Sequence, residues 1–577
     1  MREGHKSEGI GKKAIWQGAA LLGGAALLSK LIGTLQKIPL QNMAGDEVFG
    51  LYSAVYALAV MWMTLAAAGI PVAVSALVAE RSAHGDEQGA QRVLRWSLGL
   101  LGISGLLMFG LLWFGADLLA GWMGLESAAP AIRMSSFALL FAPITAVLRG
   151  YRQGQMQMLR PAISQLSEQF ARVAFMLIAL IWAVRAGWSS ASTAAAVHGG
   201  LAAGAIAGLL AMLWVTGKGR TQKPVIVRSK GAKMTFSSQG LGASGQPIRI
   251  VKLPETRRAL LKKIVGVAIP VAIASVVAPL LGLIDAFSLP RLLQQGDVEA
   301  VWSLAQYGIY NRGVALLQLV VMGAAGAASV LVPALTAARA RGDEAGFAER
   351  AVFAMRLAWW FGGAAAIGLA LLASPINKAL FSDGSGTAAM VIIAFAAVGG
   401  TLQAVSAALL QGMGSLRAPA VNLAAAVLLK LTLNAALVPA YGIRGAAAAM
   451  AVAYATAALL NALSLRQRVQ LPAPRLTVAW RSTAALAAMA AAVALTALGL
   501  GALTAALPTR LAALLVALPG VAVGAAIFAA ALVALGAITP PQWRELPGLS
   551  GSRIDTWLLR LHKIAQRPIK TSQSQEG

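Results

Sequence analysis

Ionisable side chains interrupt several long apolar stretches of this 577-residue sequence. Charged groups are costly inside a membrane, and they usually face a cavity or a partner of opposite charge. Four basic residues lie within such stretches against two acidic ones, and Lys and Arg both bind phosphate through charge-assisted hydrogen bonds. This balance favours an anionic ligand over a cationic one. The candidate functional residues are Lys30, Glu168, Arg172, Asp285, Arg291, Arg312 and Lys430. Arg291 lies at the end of an apolar stretch, and the other six lie within one.

Two pairs among these candidates also have a purely structural interpretation. Glu168 and Arg172 stand four residues apart, the spacing at which side chains meet on one helix face, so they could form a satisfied ion pair. Asp285 precedes Arg291 by six residues, where a structural pair is again possible. The sequence leaves both interpretations open.

The remaining basic candidates differ in their surroundings. Lys30 could extend to the membrane surface and Arg312 could lie near an interface, because long basic side chains reach out of apolar regions. Lys430 has no acidic residue near it in sequence. Lone charges inside a span are functional hypotheses by default, so we predict that Lys30 and Lys430 line a cavity.

The composition excludes a soluble protein. Hydrophobic residues make up 58% of the chain, charged residues 12%, and the mean hydropathy is +0.71, whereas soluble domains carry about 25% charged residues. There are no cysteines, and the four histidines are scattered without ligand spacing. No phosphate-binding loop of ATPases and no catalytic constellation occur. We therefore predict a polytopic membrane protein. We also predict that it binds no metal or cofactor and that it is not an enzyme.

A membrane-spanning helix needs about 20 mainly apolar residues. Fourteen stretches meet this condition, and the second and eighth are long and carry Pro71 and Pro333, so each is expected to kink or to project from the membrane. The fourteen predicted spans lie near 14–38, 48–78, 92–116, 130–150, 161–184, 192–216, 264–289, 301–337, 351–374, 387–411, 418–439, 442–465, 480–505 and 511–537.

The net charge of +27 reports orientation rather than nucleic-acid binding. If the N-terminus is cytoplasmic, 37 of the 48 Lys and Arg fall in the two tails and the even-numbered loops, and only seven fall in the odd-numbered loops. Cytoplasmic loops retain basic residues, so the sequence predicts that both termini are cytoplasmic.

The sequence predicts five segments. The break over 217–263 is basic and rich in Gly, Ser and Gln, so it is either a linker that fixes topology, which we favour, or an anchor for anionic lipids. The segments are an N-terminal lobe (1–216), this linker (217–263), a C-terminal lobe (264–466), an additional helix pair (467–538) and a basic tail (539–577).

An internal duplication relates the two lobes. At an offset of 258 residues, Gln153–Ala162 aligns with Gln411–Ala420, Gly50 with Gly308, and Arg172 with Lys430. With a shift of one residue, Gly-Asp-Glu after the second span matches Gly-Asp-Glu after the eighth. Six spans separate the copies, so the lobes are predicted to be parallel repeats, an architecture of transporters.

Several motifs resemble bacterial polysaccharide-biosynthesis flippases of the multidrug/oligosaccharidyl-lipid/polysaccharide (MOP) superfamily, among them the Gram-positive lipid II flippases and stage V sporulation protein B. They are S-K-x-x-G from Ser29, K-I-P-L from Lys37, G-L-Y from Gly50, A-G-I-P-V-A from Ala68, and L-R-G-Y-x-Q-G with P-A-x-S-Q-x-x-E-Q within 148–169. The resemblance spans twelve helices, and the last two match the extra pair of lipid-precursor members. Proteobacterial lipid II flippases carry arginines in the first helix, where this sequence has Lys30 and Gln36.

The resemblance implies a monomeric flippase of the bacterial cytoplasmic membrane with two six-helix lobes, which carries an undecaprenyl-pyrophosphate-linked saccharide, most simply lipid II, by alternating access. Its partners would be this precursor and membrane lipids, with no nucleic acid. Because they lie within the spans, Lys30, Arg172, Arg312 and Lys430 are predicted to form a basic cavity that binds the pyrophosphate. Asp285 would be a gate or coupling-ion site, and Glu168 and Arg291 are candidates for the same role.

Two alternatives stay open, one of the same fold and one from another functional class. A drug/cation antiporter of the same fold should show several carboxylates in its lobes, whereas Glu168 and Asp285 are the evident ones here. A membrane-bound glycosyltransferase or ligase would need a large external loop with catalytic groups, and no odd-numbered loop is long enough.

Overall fold

The computed structural model describes residues 21–67, 69–214, 256–294, 299–470, 476–544 and 553–565. Within these ranges every regular element is a helix, as the composition predicts. The α-helices in chain order are α1 (21–35), α2 (Lys37–Ala67), α3 (Ile70–Ala83), α4 (Glu87–Phe114), α5 (Ala116–Met123), α6 (Ala129–Ser136), α7 (Ala142–Gly154), α8 (Leu159–Arg185), α9 (Ser190–Trp214), α10 (Arg257–Leu293), α11 (Ala300–Ala340), α12 (Glu344–Leu371), α13 (Ala373–Phe381), α14 (Thr387–Gly412), α15 (Arg417–Tyr441), α16 (Ile443–Arg466), α17 (Leu476–Leu503), α18 (Thr509–Ala534), α19 (Pro540–Arg544) and α20 (Arg553–Ala565).

Thirteen helical stretches of the described chain are long and apolar enough to cross a membrane. The first, Leu21–Ala83, has 63 residues and would be about 95 Å long as one straight helix, whereas the apolar core of a bilayer is about 30 Å thick. Gly45 interrupts it with non-helical angles (φ 80°, ψ 178°). Counted as two spans on either side of Gly45, this stretch gives approximately the fourteen spans that the sequence predicts.

Prolines divide two of the predicted spans. Pro71 lies in the first turn of α3, which begins at Ile70 after Gly69 adopts a left-handed conformation (φ 68°). The predicted fourth span is built from α6, a 3-10 turn and α7, and Pro143 lies in the first turn of α7. Proline cannot donate a backbone hydrogen bond to the preceding turn, so it favours a new helix start. By contrast, α11 continues through Pro333 to Ala340.

The chain divides into two compact units. The first contains Met1–Gly33 and Val55–Leu283, and the second contains Thr34–Ala54 and Ile284–Gly577. The end of the first predicted span and the start of the second therefore cluster with the C-terminal part of the sequence. The predicted five-segment division stays a prediction, because 215–255 and 566–577 lie outside the described residues. Helix α10 already begins at Arg257, inside the predicted linker.

The local structure repeats with the sequence. Met156 and Gly414, 258 residues apart, both adopt positive φ angles, 61° and 81°. Asp86 and Asp343 each cap a helix, accepting hydrogen bonds from the backbone amides of the residues three positions later at 2.8 and 2.9 Å. Helices α4 and α12 begin directly after these caps. These matches support the predicted duplication.

The second unit contains a contact between equivalent residues of the two repeats. A Cβ atom on Gly50 of α2 would overlap the backbone oxygen of Leu304, and a Cβ atom on Gly308 of α11 would overlap the backbone oxygen of Asp46. Gly308 lies 258 residues beyond Gly50, and Leu304 lies 258 residues beyond Asp46. The contact is therefore reciprocal, as across a local two-fold axis. Glycine is required here because the two backbones approach too closely for a side chain.

We expect Gly308→Ala to destabilise the protein by about 1–3 kcal/mol, since the added methyl group meets rigid backbone rather than a side chain. Gly110→Ala is the matched control, because nothing lies within 4 Å of a Cβ atom at Gly110 in α4. Thermal unfolding of the detergent-purified variants, followed by tryptophan fluorescence, measures the difference. Equal melting temperatures for the two variants would contradict the close contact.

Candidate functional site

Two arginines share one carboxylate in the first unit. Glu168 and Arg172 of α8 form the pair that their four-residue spacing predicts, with Arg172 Nη2 3.1 Å from Glu168 Oε1. The other oxygen, Oε2, accepts from Arg149 Nη2 of α7 at 2.7 Å. Only 13–20% of each of these three side chains is exposed. This Arg149–Glu168–Arg172 cluster therefore carries a surplus of one positive charge.

The glycines of α9 position this cluster. A Cβ atom on Gly204 would lie 2.7 Å from the backbone oxygen of Glu168, and one on Gly208 would lie 2.9 Å from Arg149 Nη2. Glycines every four residues let α9 pack closely against α8, as expected for a small-residue packing seam between membrane helices. The cluster is thus held between α7, α8 and α9.

Arg172 also lines a cavity of about 420 Å³ in the first unit. The wall residues come from α2, α3, α8, α9 and α10 and from Gly69 between α2 and α3, and Arg172 is the charged member of the set. They are Tyr56, Val60, Met63, Thr64, Ala67, Gly69, Pro71, Val72, Arg172, Leu201, Val271 and Ser275. A largely apolar cavity with one cation and a few hydroxyl groups suits an amphiphile that carries a negative charge.

Lys30 lies on α1 and is exposed. The neighbouring Ser29 is buried and donates to the backbone oxygen of Gln165 on α8 at 3.5 Å, and Gly33 packs against the side chain of Gln169. Helix α1 therefore packs on α8 through the face of Ser29 and Gly33. Lys30 is outside the set that lines the 420 Å³ cavity, so its role in binding remains a prediction.

The second unit contains a buried ion pair between Asp285 of α10 and Lys430 of α15. Their side chains are 3% and 0% exposed. Tyr310 Oη of α11 donates to Asp285 Oδ2 at 2.9 Å, and Asn434 Nδ2 donates to Asp285 Oδ1 at 3.1 Å. We call these four residues the Asp285–Lys430 network. A buried carboxylate that accepts three hydrogen bonds is well compensated.

Helical spacing aligns this network. Lys430 and Asn434 are one turn apart on α15, and Asn434 Nδ2 also reaches Ser288 Oγ, one turn from Asp285 on α10, at 3.1 Å. Arg291, the partner that the sequence offers for Asp285, is exposed at the end of α10. The ion pair therefore links two helices instead of two turns of one helix.

Arg312 of α11 lies between two carboxylates in the second unit. Arg312 Nε is 2.9 Å from Asp46 Oδ1, and Nη2 contacts the other oxygen of Asp46. Nη1 and Nη2 lie 2.7 and 3.0 Å from the two oxygens of Asp383. Nη1 also reaches Asn377 Oδ1 at 3.4 Å, and the guanidinium packs 5.3 Å from the centre of the Phe381 ring. This Arg312 cluster therefore carries a surplus of one negative charge.

Asp383 lies in the loop between α13 and α14. Hydrogen bonds from Arg312 lower the pKa of its carboxyl below the ordinary value, although partial burial opposes the shift. The backbone amide of Ser385 also donates to Asp383 Oδ1 at 2.7 Å. Asp383 therefore stays ionised beside Arg312 in mildly acidic solution.

Sequence reasoning missed the partners of the basic candidates. Asp46 and Asp383 lie just outside the predicted spans, and Arg149 lies at the end of one, so a search for charges within apolar stretches does not select them. Tyr310 and Asn434 are uncharged. One signal was available, because Asp46 lies four residues before Gly50, the first residue of the repeated glycine-tyrosine motif that packs against α11. Among the described residues, no group of three or more His, Cys, Asp or Glu could hold a metal ion.

Comparisons with known sequences give consistent matches. The family described as "Polysaccharide biosynthesis protein" matches residues 15–339. The uncharacterized membrane protein YabM of Bacillus subtilis is 31% identical over 96% of this chain and 98% of its own length. From the same organism, stage V sporulation protein B is 26% identical over 79% of this chain and 84% of its own length. The lipid II flippase MurJ of Bacillus subtilis is 23% identical over 76% of this chain and 80% of its own length.

Solved structures share the fold. The lipid II flippase MurJ in an inward closed conformation superimposes with a TM-score of 0.60, covering 89% of this chain and 99% of that structure at 12% identity. An inward-facing multidrug resistance MATE family transporter of the MOP superfamily also superimposes with a TM-score of 0.60. The match covers 77% of this chain and 94% of that structure at 17% identity. At these identities the likeness concerns the fold alone.

The lowered pKa of Asp383 predicts a pH-dependent contribution to stability. A carboxyl whose folded pKa is depressed stabilises the protein above its ordinary pKa of about 3.9, and the contribution is lost as the pH falls through the lower folded value. We expect Asp383→Asn to lower the melting temperature at neutral pH. Because Asp383 is about half exposed, the loss should not exceed about 1 kcal/mol.

Melting curves of the wild type and Asp383→Asn across the acidic range test this expectation, and the two should converge as the pH falls below about 4. Asp117→Asn is the control, because Asp117 pairs with Arg133 but is 72% exposed. A difference between wild type and Asp383→Asn that persists unchanged in acid would show that the charge of Asp383 is not responsible.

Proposed function

Because this chain belongs to the polysaccharide biosynthesis protein family, we propose that it is a flippase for an undecaprenyl-pyrophosphate-linked saccharide, most simply lipid II. It would move this precursor from the inner to the outer leaflet of the bacterial cytoplasmic membrane by alternating access, with both termini cytoplasmic. The similarity to the lipid II flippase MurJ and to stage V sporulation protein B supports this class of substrate.

The observation that carries the proposal is the apolar 420 Å³ cavity with Arg172 in its wall. The surplus positive charge of the Arg149–Glu168–Arg172 cluster attracts an anion, and the apolar walls favour a lipid. A drug/cation antiporter is less well supported. Glu168 is shared by two arginines and Asp285 is paired with Lys430, so neither carboxylate offers uncompensated negative charge to a cationic substrate.

We expect Arg172→Gln to reduce transport about tenfold or more, because one charge-assisted hydrogen bond to the pyrophosphate is lost. Arg149 still neutralises Glu168 in this variant, so no buried carboxylate is left unpaired. Complementation of a strain that lacks its lipid II flippase, with measurement of lipid II on the outer leaflet, gives the activity. Arg185→Gln, an exposed arginine at the end of α8, is the control.

The outcomes separate the site from the substrate. If the wild type complements and Arg172→Gln does so equally well at the same expression level, the cavity is not the binding site. If the wild type itself leaves lipid II exposure unchanged, the precursor is a different lipid-linked saccharide or the function is wrong.

We assign the coupling role to the Asp285–Lys430 network and propose that the coupling ion is a proton. The ammonium group of Lys430 already forms an ion pair with Asp285, so a metal cation would have to displace Lys430. A proton that binds to Asp285 would instead neutralise the carboxylate and break the ion pair. The other titratable groups near Asp285 are Tyr310 and Tyr307 of α11, whose rings stack 6.3 Å apart, and Tyr454 of α16. For Arg291, which is exposed at the end of α10, we propose a gate role rather than coupling.

We expect Asp285→Asn to be destabilised by about 3–5 kcal/mol, because Lys430 is then buried without a counter-charge. The double variant Asp285→Asn/Lys430→Met removes both charges and should recover the melting temperature. Its transport should no longer respond to an imposed pH gradient. A double variant that folds and still follows the pH gradient like the wild type would exclude this pair from coupling.

A further inference from the structure

A second cavity, of about 350 Å³, lies within the second unit between α13 and the hairpin of α17 and α18. The polar residues that line it are Lys378, Ser374, Thr504 and Thr509. Leu371 and Val516 belong to its apolar wall. The walls of this cavity contain none of the residues of the Arg312 cluster or of the Asp285–Lys430 network.

The charge of this cavity is not compensated from within. No Asp or Glu is among its lining residues. The Lys378 ammonium group has no ion pair or hydrogen bond within the described chain, and its Cε lies 3.6 Å from the position of a Cβ atom on Gly384. Arg312 and Lys430 differ in this respect, since each contacts a carboxylate directly. Lys378 therefore presents a positive charge with its hydrogen-bonding capacity free.

A second cation, Arg510, contacts the helix that carries Lys378. Arg510, next to Thr509 on α18, donates from Nε to the backbone oxygen of Ala379 at 3.1 Å. This bond fixes α18 to the residue that follows Lys378, and the Arg510 side chain is otherwise exposed. This contact joins the helix that carries Lys378 to the helix that carries Arg510. Both Lys and Arg bind phosphate through charge-assisted hydrogen bonds.

The cavity lies at the ends of three candidate spans. Leu371 ends one span, Thr504 directly follows another, and Thr509 begins a third. Ends of spans lie at the level of lipid headgroups, while Val516 lies two turns further along α18. The predicted topology puts these ends on the external side. A ligand that fits both walls has a phosphate at Lys378 and a hydrocarbon chain along the helices.

We propose that this cavity binds the phosphate of a membrane lipid, with Lys378 as the principal contact and Arg510 at its rim. The site is distinct from the proposed transport cavity, and its existence does not require that the protein carries lipid II. The phosphate can come from a bulk phospholipid or from a polyprenyl pyrophosphate.

Native mass spectrometry of the detergent-purified full-length protein tests the proposal. The probes are phosphatidylglycerol, undecaprenyl pyrophosphate and, as a lipid without phosphate, diacylglycerol. We expect Lys378→Gln to retain about tenfold less phosphate-bearing lipid than the wild type, the loss expected from one charge-assisted contact. Lys378→Arg should retain most of the binding. Arg444→Gln, an exposed arginine on the same predicted side, should match the wild type.

The two lipid sources are separated by the same measurement. Loss of both phosphate-bearing lipids in Lys378→Gln identifies a general phospholipid site, and loss of undecaprenyl pyrophosphate alone identifies a site for the polyprenyl lipid. Either result supports the proposal. Equal retention of both phosphate-bearing lipids by the wild type and Lys378→Gln would overturn it. So would a wild type that retains diacylglycerol as well as it retains both phosphate-bearing lipids. Transport is not measured, so failure here leaves the proposed flippase activity unaffected.

Discussion

The cost of a buried charge constrains how the helices of the second unit pack. Lys430 and Arg312 are fully buried, and each contacts a carboxylate contributed by a different segment of the chain. Removing one partner of a buried pair typically costs about 3–5 kcal/mol, because the remaining charge is left in a medium that cannot solvate it. The pairs therefore fix relative positions: Asp285 and Lys430 join α10 to α15, and Arg312 joins α11 to residues 34–54 and to the loop after α13.

The duplication does not extend to these charges. Arg172 and Lys430 occupy equivalent positions of the two repeats, yet the carboxylate of Arg172 lies one turn earlier on the same helix and that of Lys430 lies on α10. The clusters also differ in net charge, which is positive around Arg172, zero for Asp285 with Lys430, and negative around Arg312. We propose that this asymmetry separates the roles of the repeats, with anion binding in the first unit and coupling in the second.

The sequence predicts the spans and the local pair well, and the long-range pairs poorly. Spans follow from composition, because each must place about 20 apolar residues in the bilayer. Glu168 and Arg172 follow from helical spacing alone. The partners of Arg312 and Lys430 lie 266 and 145 residues away in Asp46 and Asp285, so they depend on helix packing, which hydropathy does not encode. Charge patterns within apolar stretches therefore find the cations but not what neutralises them.

A cation that is fully neutralised by carboxylates stabilises the fold but has little attraction left for an anionic lipid. By this criterion the location of a basic residue inside a span is a weak indication of binding, and the net charge of its cluster is a stronger one. Arg312 and Lys430 are predicted to bind substrate because they are intramembrane cations, and this stays a prediction. Since each contacts a carboxylate, we propose structural or coupling roles for them instead. The cluster of Arg172 has a surplus of positive charge because two arginines share Glu168, and no carboxylate of the described chain pairs with Lys378. Since each of these two also lines a cavity with apolar walls, they combine the two properties that a lipid phosphate requires.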